Sequence, residues 1–262
     1  MNNSIFKKIE QSSSIDFGDI FSKSFELYKK VWVHGFVHVL LSLVVLIPFF
    51  IVLYVPIIIM AGLDGLHTYK GDFELYENEI GAMSVGFVFL FLFLILAMSI
   101  ISAALQMGIN AHFFTICKKV DYGEPEDSKY FMFLKGKYLG KLLGLVCASI
   151  GIALLAMLLC YFPVFYVMVP LQLLIVIFAF NPDLSVSEII KASFRLGNKY
   201  WFIIFGLTFI SGFLAQLGMF FCFVGIFFTI SFVYIPLYYV YKDSIGFEDR
   251  DSEKNKNPIL IT

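Results

Sequence analysis

The 262-residue chain is 60% hydrophobic and only 15% charged, with a mean hydropathy of +0.85 and a net charge of −1. A water-soluble domain is about half apolar and a quarter charged, so this composition makes the bilayer the solvent and leaves no segment rich enough for a separate soluble core. The net charge hides a segregation of charge along the chain and says nothing of a nucleic-acid partner; with no basic tract none is expected, and no cofactor is implied.

The amino terminus, "MNNSIFKKIEQSSSIDFGDI", carries two lysines but leads into serines rather than an apolar core, so no cleavable signal is expected. Residues 1–15 read as a cytoplasmic tail, and so do residues 243–262 at the other end.

Crossing roughly 30 Å of hydrocarbon takes about 20 helical residues. Four runs without Asp, Glu, Lys or Arg exceed that length: 31–63, 81–117, 142–181 and 201–241. The first predicts a span over about 33–60, kinked at Pro48 and Pro56, and the second a span over about 83–109. The third run is too long for one helix. The break is expected at "CYFP", because Pro163 cannot continue a helix interior, giving spans over about 139–161 and 164–180. The fourth folds back at Gly218 and Gly225 into spans over about 201–217 and 220–241. The expected fold class is therefore all-α: a polytopic membrane bundle of six transmembrane helices.

Basic residues flank cytoplasmic ends. Eighteen of the nineteen Lys and Arg fall before span one, between spans two and three, between four and five, and after six; only Lys70 remains for the other side. That side holds the acidic loop "GLDGLHTYKGDFELYENEIG", with Asp64, Asp72, Glu74, Glu77 and Glu79. Both termini are expected in the cytoplasm, and the protein in a bacterial-type inner membrane.

Two stretches repeat. "IFSKSFELYKKVW" (20–32) and "IIKASFRLGNKYW" (189–201) align at an offset of 169, with six of thirteen positions identical. Each follows a capping signal, Asp16 three residues before Asp19 and Ser185 three before Glu188. On a helical wheel Phe17, Ile20, Phe21, Ser24, Phe25, Leu27, Tyr28, Val31 and Trp32 fill one arc of about 160°. The pattern predicts amphipathic surface helices over about 16–31 and 185–200, lying in the headgroup plane and turning into the membrane at Trp32 and Trp201. Phe25, Trp32, Phe194 and Trp201 are the expected membrane-interface residues. A weaker third copy at "YFMFLKGKYLG" (130–140) completes three parallel units of surface helix plus transmembrane hairpin.

"GDIFSKSFELYKKVW", "SVSEIIKASFRLGNKYWFIIFGL" and "GMFFCFVGIFFTISFVYIPLYYVYKD" resemble the six-span domain fused to some bacterial glycerophosphodiester phosphodiesterases, and its stand-alone relatives of unknown function. The resemblance covers most of the chain and is strongest over 185–243. It implies architecture; the soluble phosphodiesterase part is absent, and no catalytic residue is carried over.

No expected span has a charged residue in its middle, which disfavours a proton-coupled pump. The polar residues within them are Ser99, Ser102, Gln106, Gln172, Thr208, Ser211 and Gln216, expected to hydrogen-bond between helices beside Gly206 and Gly212. His34 and His38 share one helical face and His112 is expected at similar depth, while His67 lies on the opposite surface. Three imidazoles suit zinc in number, but histidine-box oxygenases need many more, so the pair is read as packing and hydrogen bonding rather than a metal site. The four cysteines, Cys117, Cys147, Cys160 and Cys222, have no metal-like spacing and read as small hydrophobes. The expectation is a non-catalytic integral membrane protein that organises or regulates the bilayer or a membrane-protein partner, a second copy of itself included. The alternative is a transporter or export accessory for a small or lipid-like molecule.

Overall fold

A computed structural model describes residues 3–70, 77–125, 132–159, 162–220 and 225–247. Every element among them is helical. In chain order these are α1 (Asn3–Gln11), α2 (Phe17–Lys70), α3 (Glu77–Tyr122), a 3₁₀ turn (Met132–Leu134), α4 (Gly136–Leu158), α5 (Phe162–Phe180), α6 (Val186–Lys199) and α7 (Trp201–Leu217). A second 3₁₀ turn (Gly218–Phe220), α8 (Ile226–Thr229), a 3₁₀ stretch (Ile230–Tyr234) and α9 (Ile235–Ser244) follow. Asp72 and Glu74 of the acidic loop, Tyr130 and Phe131 of the third repeat copy, Cys160, Cys222 and the tail after 247 lie outside the described residues.

Five helical segments among the described residues are long and apolar enough to cross a membrane: Phe17–Ile58, Val85–Tyr122, Gly136–Leu158, Pro163–Phe180 and Trp201–Phe220. The break at "CYFP" falls where the proline places it. α4 ends at Leu158, and Pro163 sits in the first turn of α5, where its missing N–H has no intrahelical partner to lose.

The expected span over 220–241 is not among the five. Its described residues run as α8, a 3₁₀ stretch and α9 rather than as one long helix. Close backbone approaches accompany this. A Cβ on Gly218 would lie 2.3 Å from Thr229 Oγ1 and 2.8 Å from the Gly225 carbonyl carbon, and a Cβ on Gly35 would lie 2.3 Å from Ser231 Oγ. Thr229 Oγ1 donates to Ala215 O at 2.8 Å, stapling α8 to α7. The two glycines named as turn residues thus flank the α7–α8 connection, and Gly35 lets the 3₁₀ stretch seat on α2.

A second departure concerns the first surface helix. Residues 16–31 do not turn at Trp32; α2 runs unbroken through Pro48 and Pro56 to Lys70. The cause is visible in the burial pattern. Ile20, Ser24, Leu27, Val31, Gly35 and His38 are all buried, at spacings of four, three, four, four and three, so one stripe continues from the amphipathic segment into the bundle. Nothing breaks the helix between them. In the second copy the expected turn is present: α6 ends at Lys199, Tyr200 takes φ −122° and ψ 27°, and α7 starts at Trp201. The described part of the third copy is a 3₁₀ turn leading straight into α4.

A third departure is the amino-terminal tail, which contains α1 docked on α6. Ile5 and Ile9, one turn apart, are buried. Lys199 Nζ donates to the carbonyls of Ile9 (2.7 Å), Glu10 (3.0 Å) and Ser12 (2.8 Å), satisfying the end of α1, and Arg195 pairs with Glu10 at 3.0 Å. A nine-residue helix is too short to hold itself in water, and it exists because α6 receives it.

The packed core lies at the end of the bundle that carries the basic flanks, formed by Leu27 and Val31, Phe113 and Phe114, Leu142, Leu173 and Ile177, Ile189 and Tyr238. Toward the other end α2 and α3 expose Val44, Ile47, Ile51 and Ile58, and Val85, Phe89 and Phe93. Such an apolar surface is stable against lipid chains and not against water.

Candidate functional site: a polar seam between α2, α3 and the carboxy-terminal helices

The seam begins on α2. Ser42 Oγ donates to His38 O at 2.9 Å and accepts from Gln106 Nε2 of α3 at 2.7 Å. The same amide donates to Asn110 Oδ1 at 3.1 Å, and Asn110 Nδ2 reaches Tyr234 Oη at 3.3 Å. Four side chains from three elements are thereby linked inside otherwise apolar packing. His38 is 4% exposed; its ring stacks on Phe113 with centroids 4.8 Å apart and meets the edge of Tyr234 at 5.5 Å. His38 Nδ1 and Gln106 Oε1 are buried and make no hydrogen bond among the described residues.

The two histidines of the HxxxH spacing differ in burial. His38 faces the bundle, and His34 is half-buried. His112 does come beside His38, as its expected depth implied: both line a cavity of about 10 Å³ with Leu41, Ile109, Phe113 and Ile116. That space holds about one water and no substrate. Among the described residues no three His, Cys, Asp or Glu side chains gather in a metal-binding group.

Of the other polar residues singled out, Thr208 Oγ1 donates to Gln172 Oε1 at 2.9 Å and ties α7 to α5, whereas Ser99 bonds within its own helix to Ile95 O. Ser211 Oγ is buried without a hydrogen bond among the described residues. Gly206 approaches Phe17 closely; Gly212 has open space where a Cβ would go.

At the end that carries the basic flanks, beyond the seam, sits a cluster that sequence reasoning missed. Asp121, in the last turn of α3, accepts from Tyr238 Oη at 2.7 Å, Tyr239 Oη at 3.1 Å and Lys242 Nζ at 2.5 Å. The Lys242 ammonium also lies over the rings of Tyr122 and Tyr239, at 5.0 and 5.3 Å from their centroids. Three donors on one carboxylate, one of them the Lys242 ammonium, fasten α3 to α9. The available signal was the run "YIPLYYVYKD", whose tyrosines need polar partners once buried.

The expected interface residues lie outside the buried stripes. Phe25 and Trp32 are 46% and 45% exposed; the Phe25 ring meets Phe232 at 5.9 Å and the Trp32 ring meets Phe228 at 6.1 Å. Phe194 and Trp201 are half-buried; Trp201 Nε1 donates to Tyr166 O at 3.1 Å, and its ring stacks on Phe205 at 5.0 Å. The buried faces of both amphipathic segments pack on protein. Ile189, Ala192 and Leu196 of α6 belong to the same core as Ile20, Leu27 and Val31 of α2.

No protein-family model, curated protein or solved structure matches the chain.

Proposed function

We propose that this chain is a non-catalytic, six-span inner-membrane protein with both termini in the cytoplasm, and that it organises or regulates the bilayer or a membrane-protein partner from its cytoplasmic end. The observation that carries this reading is the distribution of packing: aromatic and aliphatic side chains fill the basic end, while the far halves of α2 and α3 present apolar surface outward. A rigid base with lipid- or partner-facing arms suits a scaffold. The eighteen-to-one segregation of basic residues supports the orientation, with 220–241 as the sixth crossing.

Membership of the six-span domain family named above is part of the same proposal, as is its construction from parallel repeats. Phe25, Trp32, Phe194 and Trp201 are proposed to sit at the headgroup boundary, where an aromatic ring has both apolar and polar neighbours. One observation favours the alternative, a transporter or export accessory. The Ser42–Gln106–Asn110–Tyr234 chain places buried polar groups along a candidate route.

Two measurements on protein from native membranes separate the readings. Cross-linking followed by purification is expected to retain a protein partner or a defined lipid in stoichiometric amount. Proteoliposomes loaded with small solutes and labelled lipids are expected to show no protein-dependent flux. Flux abolished by Gln106→Leu would replace the first reading with the second.

A further inference from the structure

A cavity of about 160 Å³ opens at the end of the bundle that carries the basic flanks, between α1, the last turns of α3 and α5, and the turn that follows α9. Lys8 of α1 and Lys118 of α3, 110 positions apart in the chain, both line it, together with Asn181, Tyr241 and Phe247. Lys8 is carried by the helix that Lys199 and Arg195 clamp onto α6. Lys118 stands over the ring of Phe247, 4.5 Å from its centroid. Asn181 Nδ2 donates to Tyr241 Oη at 2.7 Å and to Ile177 O at 3.1 Å, fixing the opposite wall.

The chain itself delivers an acidic segment to this rim. The N–H groups of Ile245 and Gly246 both donate to Tyr241 O, at 2.9 and 3.3 Å, closing α9, and Gly246 takes a φ of 72°, the left-handed conformation that glycine adopts at no steric cost. The reversal turns Phe247 back into the bundle. There it is 8% exposed and packs on Phe180, Tyr238 and Tyr241, with centroids 4.8, 6.0 and 5.5 Å away. Phe247 is the last described residue, and the next positions in the sequence, 248–253, read "EDRDSE", four acids and one arginine. Successive Cα atoms are about 3.8 Å apart, so Glu248 and Asp249 start within about 8 Å of the pinned Phe247 backbone.

We infer that the cavity is the docking site of the acidic segment that begins at Glu248. The carboxylates of Glu248 and Asp249 lie between Lys8 and Lys118 and strap α1 to α3 and α9. Charge complementarity carries the assignment, because two ammonium groups from different helices line the space at the rim of which the acidic run begins. The volume agrees: it is below the roughly 300 Å³ at which pockets for drug-sized molecules begin, and it suits short side chains. Docking of α1 on α6 thereby responds to charge at the opposite end of the chain. The inference stands apart from the organising role and the orientation proposed above, since both sides of the contact belong to this chain.

The test uses the full chain in nanodiscs of phosphatidylcholine and follows amide hydrogen exchange of residues 5–11 in α1 at low and high salt. Glu248→Lys combined with Asp249→Lys is expected to speed exchange there at least threefold at low salt, with high salt narrowing the gap. Adding Lys8→Glu and Lys118→Glu to that variant pairs opposite charges again with their signs exchanged, and is expected to bring exchange back to within twofold of the parent. Glu253→Lys, farther along the segment, is expected to leave it unchanged. Carbodiimide coupling of the parent is expected to give amide links from Lys8 or Lys118 to Glu248 or Asp249 in the peptide map. Exchange in α1 that ignores the Glu248 and Asp249 reversal, or a charge swap that does not restore it, overturns the inference. Protection that follows added inorganic phosphate and not the charges at 248 and 249 assigns the cavity to a free anion and overturns it as well. If the swapped variant does not purify as a single species, the cross-links decide. Links to Glu248 or Asp249 support the contact, and links confined to other acids reject it.

Discussion

Ser24 and Ser193, 169 positions apart, are both fully buried, and each donates its hydroxyl to the carbonyl four residues before it: Ile20 at 2.7 Å and Ile189 at 2.8 Å. The neighbours correspond as well. Ile20 with Ile189 and Leu27 with Leu196 are buried pairs at the same offset, and Asp16 and Ser185 each accept a hydrogen bond from the backbone N–H three residues on. A small hydroxyl that satisfies itself within its own helix lets a neighbouring element approach closely, which is why serine suits both positions.

Placing a charge on the protein-facing stripe should therefore be far more damaging than placing it on the outer one. Leu27→Ala or Leu196→Ala is expected to cost about 2–5 kcal/mol, and Leu27→Asp or Leu196→Asp to prevent recovery of folded protein. Phe25→Asp and Phe194→Asp should weaken membrane association, with Lys23→Asp and Lys191→Asp milder still. Thermal melts in detergent and membrane fractionation measure the two effects. Equal damage from Asp at all six positions would argue against the amphipathic assignment.

Asp121 and Lys242 are 15% and 27% exposed at their side chains, so removing one strands the other only partly out of water. Asp121→Asn is expected to lower stability by about 2–3 kcal/mol, between the values for exposed and buried pairs. Combined with Lys242→Gln in a double-mutant cycle, it should show coupling rather than additivity. Additive losses would mean that α3 and α9 are held by packing alone.

His34 and His38 should respond differently to the same change. His38→Gln removes the ring stacked on Phe113 and is expected to cost about 1–2 kcal/mol, whereas His34→Gln should fall within about 0.5 kcal/mol of the parent. Denaturation midpoints compare them. Metal analysis of the parent and the double variant bears on the metal question, and stoichiometric zinc or iron lost on mutation would reverse the packing assignment.

The cap of α6 makes a pH prediction. Hydrogen bonds from the Ser185 hydroxyl and backbone hold the Glu188 carboxyl below its ordinary range. A depressed folded-state value means the contribution is present above the unfolded carboxylate range and is lost as pH falls through the folded one. The gap in melting temperature between the parent and Glu188→Gln should be constant near neutrality and close in acid. A gap that does not change with pH would rule out the capping carboxylate as its source.

Orientation is open to direct labelling. Cysteines introduced singly at Asn78 and Asn255, in a background with the four native cysteines replaced by alanine, should react with an impermeant maleimide from outside and only after lysis, respectively. Labelling of Asn255→Cys in intact cells would invert the topology.

The sequence by itself determined the class. Uncharged runs longer than a bilayer crossing leave the backbone no option but helices, and Pro163 marked the break between α4 and α5 because proline lacks the N–H an interior position needs. Capping residues Asp16 and Ser185 were legible for the same reason: a helix start must satisfy its first N–H groups locally. Tertiary structure decided everything that depends on which surfaces meet. An apolar stripe looks the same in sequence whether lipid or protein covers it, so the docking of Ile20 and Ile189 into one core could not be read in advance. Nor could the helicity of α1, which depends on carbonyl acceptors meeting Lys199 190 positions away. The Asp121 cluster and the cavity between Lys8 and Lys118 belong to the same category. Their members sit on different helices, and only the packing of glycines such as Gly35 and Gly218 against neighbouring backbone and side chains sets how closely those helices approach.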